Sequence, residues 1–234
     1  MKAKLEPLFA TEAALCAAFI AWVQPQGWTA YAETADFDIL LAHGDGTQIG
    51  IQAKMKFNIA VLAQLVDSSP NWERAGPDFR AVLVPSDGNS HICSALGLGL
   101  FETYGRNGKF SPEIGGNRGW EGWHYWNPRK RCTLPAYVPD VIAGSPAPTK
   151  LTEWKVAALR VAATLELRGY VTRSDFRLHG IDHRRWTQDW LVADPMTGKW
   201  LRGPRTPDFA AQHPVVYPKV RADIAEALAL EIAP

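Results

Sequence analysis

Asp38, inside the apolar run FDILL, and the triplet Gln52-Ala53-Lys54, closing the run IGIQAK, bring a carboxylate, an amide and an ammonium into segments that otherwise read as core. Side chains two apart on a strand share a face, so Gln52 and Lys54 are expected to point the same way. Asp38, on the neighbouring strand of a hairpin, reaches the same patch. A carboxylate, a second oxygen donor and the Ala53 carbonyl suit a hard cation such as Mg²⁺, which prefers oxygen ligands and keeps several waters. A lysine beside it can orient or deprotonate the attacking water, or stabilise charge on a phosphate. Phosphodiester hydrolysis needs those parts. Taken singly, Asp38 is an ordinary strand-start residue and Lys54 an ordinary solvated strand end; only their spacing together carries chemistry.

The elements that must position these groups follow from periodicity. Leu8, Leu15, Ala18, Phe19 and Trp22 recur at helical spacing, predicting a helix over 5–23 that Pro25 and Gly27 end. Strands are expected at 28–33, 37–42 and 48–56, the last two joined by His43-Gly44-Asp45-Gly46, whose Asp-Gly is a hairpin signal. A helix over 57–66, with Asn58 as cap, and a buried strand FRAVLV at 79–84, stopped by Pro85, complete the series. The order is helix, three strands, helix, strand.

With Asp38 and Gln52-Ala53-Lys54 in that order of elements, residues 5–85 resemble the PD-(D/E)xK nuclease superfamily, the restriction-endonuclease-like fold. The resemblance implies a mixed α/β, αβββαβ core and metal-dependent cleavage of DNA. Asp38 and Gln52 would then ligate Mg²⁺ or Mn²⁺, Lys54 would act on the water or the phosphate, and Glu12, on the first helix, would support the site. Phe37 stands where the family's signature has proline, and Gln52 where it has Asp or Glu. A neutral amide binds a divalent cation less strongly than a carboxylate. Glu12 and Glu33 are the acids able to make up the difference, Glu12 first, because the family's first helix often contributes a glutamate.

Beyond residue 105 the text changes. Residues 105–145 are rich in Gly, Pro, Trp and Arg and read as a loop insertion in a first domain spanning 1–145; AGSPAPT, at 143–149, reads as a linker. NRGWEGWHYWNPRKR, at 117–131, mixes aromatics with Arg129, Lys130 and Arg131, which would serve base stacking and phosphate neutralisation. The competing reading is a packed aromatic loop covering a sheet edge, with His124 a loop histidine. In 149–234, Leu151, Trp154, Ala158, Val161 and Leu165 mark one helix face that Gly169 closes. TRSDFRLHG follows, then a helix that Asp182 could cap, then VADPMTGKWLRGP as two short strands around a turn, and a last helix near 218–231. Helix, helix, helix and a two-stranded wing is a winged helix-turn-helix layout. His183, Arg184, Arg185 and Gln188 on its third helix, with Lys199 on the wing, present donors suited to phosphates and base edges. Trp186 and Trp190 are expected in its core.

Composition narrows the classes. The chain has 234 residues, 47% hydrophobic and 21% charged, enough for one large core or two smaller ones. A net charge of +1 gives no global argument for nucleic acid, so that argument is local. Cys16, Cys93 and Cys132 share no metal or disulfide spacing, which fits a reducing cytoplasm. The apolar N-terminal segment is interrupted by Glu6 and Glu12 and reads as an amphipathic helix, not a signal peptide. No GxSxG, HExxH or phosphate-binding loop is present. A deoxyribonuclease with DNA as partner is the leading expectation, with a homodimer or a protein partner possible. The small two-part build resembles accessory proteins of phage or mobile elements. Two rivals are a non-catalytic nucleic-acid binder on a degenerate nuclease fold and a protein-interaction factor that blocks a nucleic-acid enzyme.

Overall fold

The computed structural model describes residues 8–66, 75–86, 90–104, 108–111, 121–145 and 151–232. The expected 117–120 part of the aromatic segment and the linker at 146–149 lie outside them. The chain divides into two units, Met1–Lys150 and Leu151–Pro234, each considered by itself.

In the first unit, α1 (Glu12–Val23) begins where the Thr11 hydroxyl accepts from the Ala14 N–H at 3.1 Å, an N-cap that satisfies one orphan donor. It buries Leu15, Cys16, Phe19 and Val23 and ends in a 3₁₀ turn at Pro25, followed by Gly27 at φ 85°. Strands β1 (Trp28–Thr34), β2 (Phe37–His43) and β3 (Gln48–Ala53) form an antiparallel meander. At the β2–β3 turn the Asp45 carboxylate accepts from the Thr47 N–H at 2.8 Å. Helix α2 (Ile59–Val66), capped by Asn58 through the Val61 N–H, returns the chain so that β4 (Phe79–Val84) lies parallel to β3. Helix α3 (Ser90–Ala95) then leads to β5 (Gly99–Tyr104), parallel to β4, and β6 (Lys109–Ser111) pairs antiparallel at the edge. The result is a six-stranded mixed sheet in the order β1-β2-β3-β4-β5-β6. The mixed α/β class and the order of the first six elements agree with the sequence reading, but α1 begins at Glu12 and not at residue 5, which leaves Leu8 outside the helix and half-exposed; α3, β5 and β6 have no counterpart in that reading.

Two apolar clusters cover the sheet. Leu15, Phe19 and Val23 of α1 pack on Ile39, Leu41, Ile49, Ile51, Ala53, Leu83 and Phe101; Val61, Leu62 and Leu65 of α2 pack on Val82, Val84 and Leu98. Every residue of β3 is therefore buried, the pattern of a strand sandwiched between layers rather than one with a wet face. Each fully buried Leu, Ile or Phe contributes about 1.5–3 kcal/mol. The ladder of β3 stops at Ala53, three residues short of the expected end at Lys56. The Lys54 N–H still donates to the Leu83 carbonyl at 2.9 Å, but the chain then bends towards α2.

In the second unit, α4 (Glu153–Arg168) runs from its Thr152 cap to Gly169 at φ 83°. Val171 bridges to Trp200, and α5 (Arg173–Leu178) opens with a capping box in which Asp175 accepts from the Thr172 N–H and pairs with Arg168. The helix expected from Asp182 is instead one turn at Arg184–Arg185 that widens into a π turn, Trp186–Trp190. The wider turn accompanies a packed aromatic group: Trp186, fully buried, stacks on Phe209 at 5.4 Å and meets Trp190 edge-on at 5.1 Å. Strands β7 (Leu191–Ala193) and β8 (Trp200–Arg202) pair antiparallel. After α6 (Phe209–Gln212), α7 (Val216–Ile232) packs along α4, with the Tyr217 hydroxyl and Arg221 guanidinium both donating to Glu166 at 2.7 Å. Trp154, expected on the buried face of α4, is 43% exposed.

Candidate functional site

Three elements meet where β3 ends. Lys54, just past the ladder, extends its ammonium to Glu12 on the first turn of α1, at 2.9 Å, and both side chains are about three-quarters buried. Asp38, at the start of β2, accepts from the Ala53 N–H at 2.8 Å. Its carboxylate thus takes the place that a β2 backbone carbonyl would fill. Burial, followed by the carboxylates of Asp38, Glu12 and Glu33, pushes the Cys16 pKa well above the ordinary thiol value, and Lys54 opposes them. Glu12, which holds Lys54, lies one helical turn from Cys16 on α1.

Gln52 does not join them in the expected way. It alternates with Ile51 and Ala53, whose side chains enter the α1 cluster, so its own amide leaves the sheet on the other face. There it donates to the Asp36 carbonyl at 2.7 Å. The expectation that Gln52 and Lys54 point together fails because Lys54 lies beyond the last ladder residue, and its long flexible arm is no longer held to the period-two pleat. Phe37, in the proline position of the signature, packs against the α2 cluster.

Glu33 has a different contact: its carboxylate accepts from the Gly144 N–H at 2.9 Å. Gly144, at φ 70°, sits so close to α1 that a Cβ there would lie 3.1 Å from the Cys16 sulfur and 3.2 Å from Glu12. The segment ending at Gly144 is thus fitted against the site. The sequence gives no signal for this contact, since Glu33 and Gly144 are far apart in the chain.

The basic run lies at the opposite end of the sheet. Arg131 donates to both oxygens of buried Asp78 at 2.9 and 3.1 Å, and Asp78 also accepts from the Gln48 N–H at 2.7 Å. Gln48 starts β3 and Lys54 follows it, a separation of roughly 16–20 Å at strand rise. Arg131 is held there in an ion pair although its side chain is 45% exposed, and Arg129 and Lys130 are exposed as well. Trp123 and Trp126 behave as the packed-loop reading requires. Trp123 lies on Gly99, where a Cβ would come within 2.3 Å of its ring, and Trp126 packs on the α2 cluster under the Arg80 guanidinium at 4.1 Å.

In the second unit, Arg184 is bound by Asp182 at 2.6 Å, and those hydrogen bonds hold the Asp182 carboxyl down to about 2. Arg185 lies 5.0 Å from the Trp190 ring centre and Lys199 3.8 Å from that of Tyr170. Gln188 is exposed, and His183 is half-buried beside Phe176.

By fold, the chain is a mixed α/β protein with a small helical second unit. No protein-family model, no curated protein and no solved structure matches it. Among the described residues, no helix is long and apolar enough to cross a membrane, and no group of three or more His, Cys, Asp and Glu side chains is arranged to hold a metal ion.

Proposed function

We propose that the first unit is a metal-dependent phosphodiesterase acting on DNA, built on a restriction-endonuclease-like core, and that the second is a winged-helix unit that holds the nucleic acid. The observation that carries this reading is the pairing of Glu12 of α1 with Lys54 at the end of β3, 2.9 Å apart, next to Ala53, whose N–H holds the carboxylate of Asp38 from β2. The strand order supports it: an antiparallel meander β1-β2-β3 continued by parallel β4 and β5, with α1 on one face and α2 on the other. For the second unit the support is the succession α4, the Val171 bridge, α5, a helical turn, then β7 and β8, with Val171 pairing to β8.

The donor set fits Mg²⁺ or Mn²⁺ arriving with its substrate better than a preformed cage. Mg²⁺ needs only one or two carboxylates when phosphate oxygens and waters complete its shell. Asp38 and Glu12 would supply them, and the ion would polarise the phosphate and its attacking water. Lys54 is at hand to hold that water or to meet charge developing on the phosphate, which it can do once Glu12 turns to the cation. Asp38 is pre-aimed by the Ala53 N–H. Gln52, with its nitrogen engaged by Asp36, has no assigned part in the chemistry.

A second reading, nucleic-acid binding without cleavage, is favoured by one observation: the position where the resembled family carries an acid holds a neutral amide serving as a donor. The two separate on a cleavage assay using labelled linear, nicked and single-stranded DNA with Mg²⁺ or Mn²⁺. Wild type is expected to cut, and Asp38→Asn and Lys54→Met to lose about 10²–10³-fold in rate. A wild type that shifts DNA in a gel but never cuts it would leave the binder.

A further inference from the structure

The β1–β2 turn is strained, and Gln52 holds it. Glu33, Ala35 and Asp36 stand at φ 50°, 54° and 65°, in the left-handed region, which costs Glu or Ala about 1–2 kcal/mol and Asp less. Ala35 and Asp36 are the two loop residues between the paired Thr34 and Phe37. A two-residue hairpin with both loop residues at positive φ ordinarily uses Asn-Gly or Asp-Gly. Here neither residue is glycine, so bonds from outside the turn must offset the strain. Such bonds are present. Gln52, 5% exposed, donates from Nε2 to the Asp36 carbonyl at 2.7 Å, and the Gly144 N–H donates to the Glu33 carboxylate at 2.9 Å.

We infer that Gln52 is a positioning residue: by holding the Asp36 carbonyl it fixes the turn that delivers Glu33 on one side and Asp38 on the other to the Lys54 end of β3. Its consequence for catalysis rests on the phosphodiesterase reading; the positioning itself does not. The partner of Gln52 is a carbonyl, which only accepts, so the position requires a donor. An ionised glutamate would set acceptor against acceptor in a buried place, and its desolvation would be uncompensated. This accounts for glutamine at a position where an acid is expected: the side chain serves the backbone of the turn rather than a cation.

The Ala53 amide is the reporter, because its bond to Asp38 Oδ2 exists only while Asp38 is in place. Amide hydrogen exchange by NMR is to be measured on the full chain for wild type, Gln52→Met and Gln52→Glu. Gln52→Met is expected to speed exchange at Ala53 at least tenfold. Lys54, bonded to the Leu83 carbonyl, and Trp126, bonded to the Asp78 carbonyl, should keep their wild-type rates, which excludes a general loss of folding. Gln52→Glu should behave like Gln52→Met at pH 8 and recover at pH 5, where the protonated carboxyl can donate. Adding Ala35→Gly to Gln52→Met should restore part of the protection, since glycine adopts the left-handed conformation without penalty. Wild-type exchange at Ala53 in Gln52→Met overturns the inference. So does a Gln52→Glu variant that stays protected at pH 8 and binds Mg²⁺ more tightly, which would put Gln52 in the cation site. Exchange needs no turnover, so a wild type that cuts no DNA removes the phosphodiesterase reading and leaves the positioning of the turn to be decided by Ala53 alone.

Discussion

The two ends of β3 use the same kinds of side chain for opposite purposes. At the Gln48 end, Asp78 is 1% exposed, accepts from the Gln48 N–H and binds Arg131 through both oxygens. The Gln48 amide there donates to the Cys132 carbonyl and accepts from the Cys132 N–H, both at 2.9 Å. At the Lys54 end, the Glu12–Lys54 pair joins two side chains that remain about one-quarter exposed. Asp78, sealed from water and bonded to backbone as well as to a half-exposed Arg131, stitches the chain together. Glu12 and Lys54, bonded to one another at a strand end and still in partial reach of solvent, can exchange partners. Polar residues in a core strand are thus not in themselves a site; their partners decide.

The largest effect on stability should come from breaking the stitched end. Asp78→Ala removes the acceptor for Arg131 and for the buried Gln48 N–H at once; with Arg131 half-exposed, so that its charge stays solvated, the expected cost is about 2–4 kcal/mol. Urea denaturation, followed through the near-ultraviolet signal of the first unit's tryptophans, measures it. A loss under about 1 kcal/mol would mean that this end is no more structural than the other.

Gln48→Met is milder. It keeps the length of the side chain but leaves the Cys132 N–H and carbonyl without their partner, at about 1–3 kcal/mol. The cleavage rate per folded molecule should stay at the wild-type value, because Lys54 lies at the other end of the strand. Lost cleavage at unchanged stability would tie the far end to the chemistry and dissolve the contrast between the ends.

The same contrast explains what the sequence disclosed. The core of the first unit was legible because period and turn chemistry are local: Asn58 caps α2, Asp45 closes its turn, and the apolar runs fall on β1 to β4. Glu12, Asp38 and Lys54 were legible as a group because the order of elements brings their ends together. What was hidden depends on distant partners. Arg129-Lys130-Arg131 reads as one basic run, yet Arg131 is claimed by Asp78, which local sequence does not reveal. Gly144 reads as linker and is instead fitted against α1 and Glu33. Gln52 reads as sharing a face with Lys54 because alternation was assumed to continue past Ala53, where the strand stops. β5 was missed because GLFETY is short and interrupted by Glu102 and Thr103, and its burial comes from β4 and β6 on either side.

The smallest stability effect sharpens the comparison most. Glu12→Gln leaves an oxygen that still accepts from Lys54 but removes the negative charge. The hydrogen bond from Lys54 survives the change and the ammonium keeps about a quarter of its exposure, so the loss should stay near ~1 kcal/mol. Cleavage should nevertheless fall steeply, because a neutral amide gives up most of the Coulomb attraction that a carboxylate offers a divalent cation. Stability and activity thus separate at the Lys54 end, whereas at the Gln48 end stability falls and activity per folded molecule does not. A Glu12→Gln protein that lost several kcal/mol would show the pair to be another stitch, with Lys54 held in place by structure alone. In that case the acids beside Cys16 would have to be explained as packing rather than as a place where a phosphate is cut.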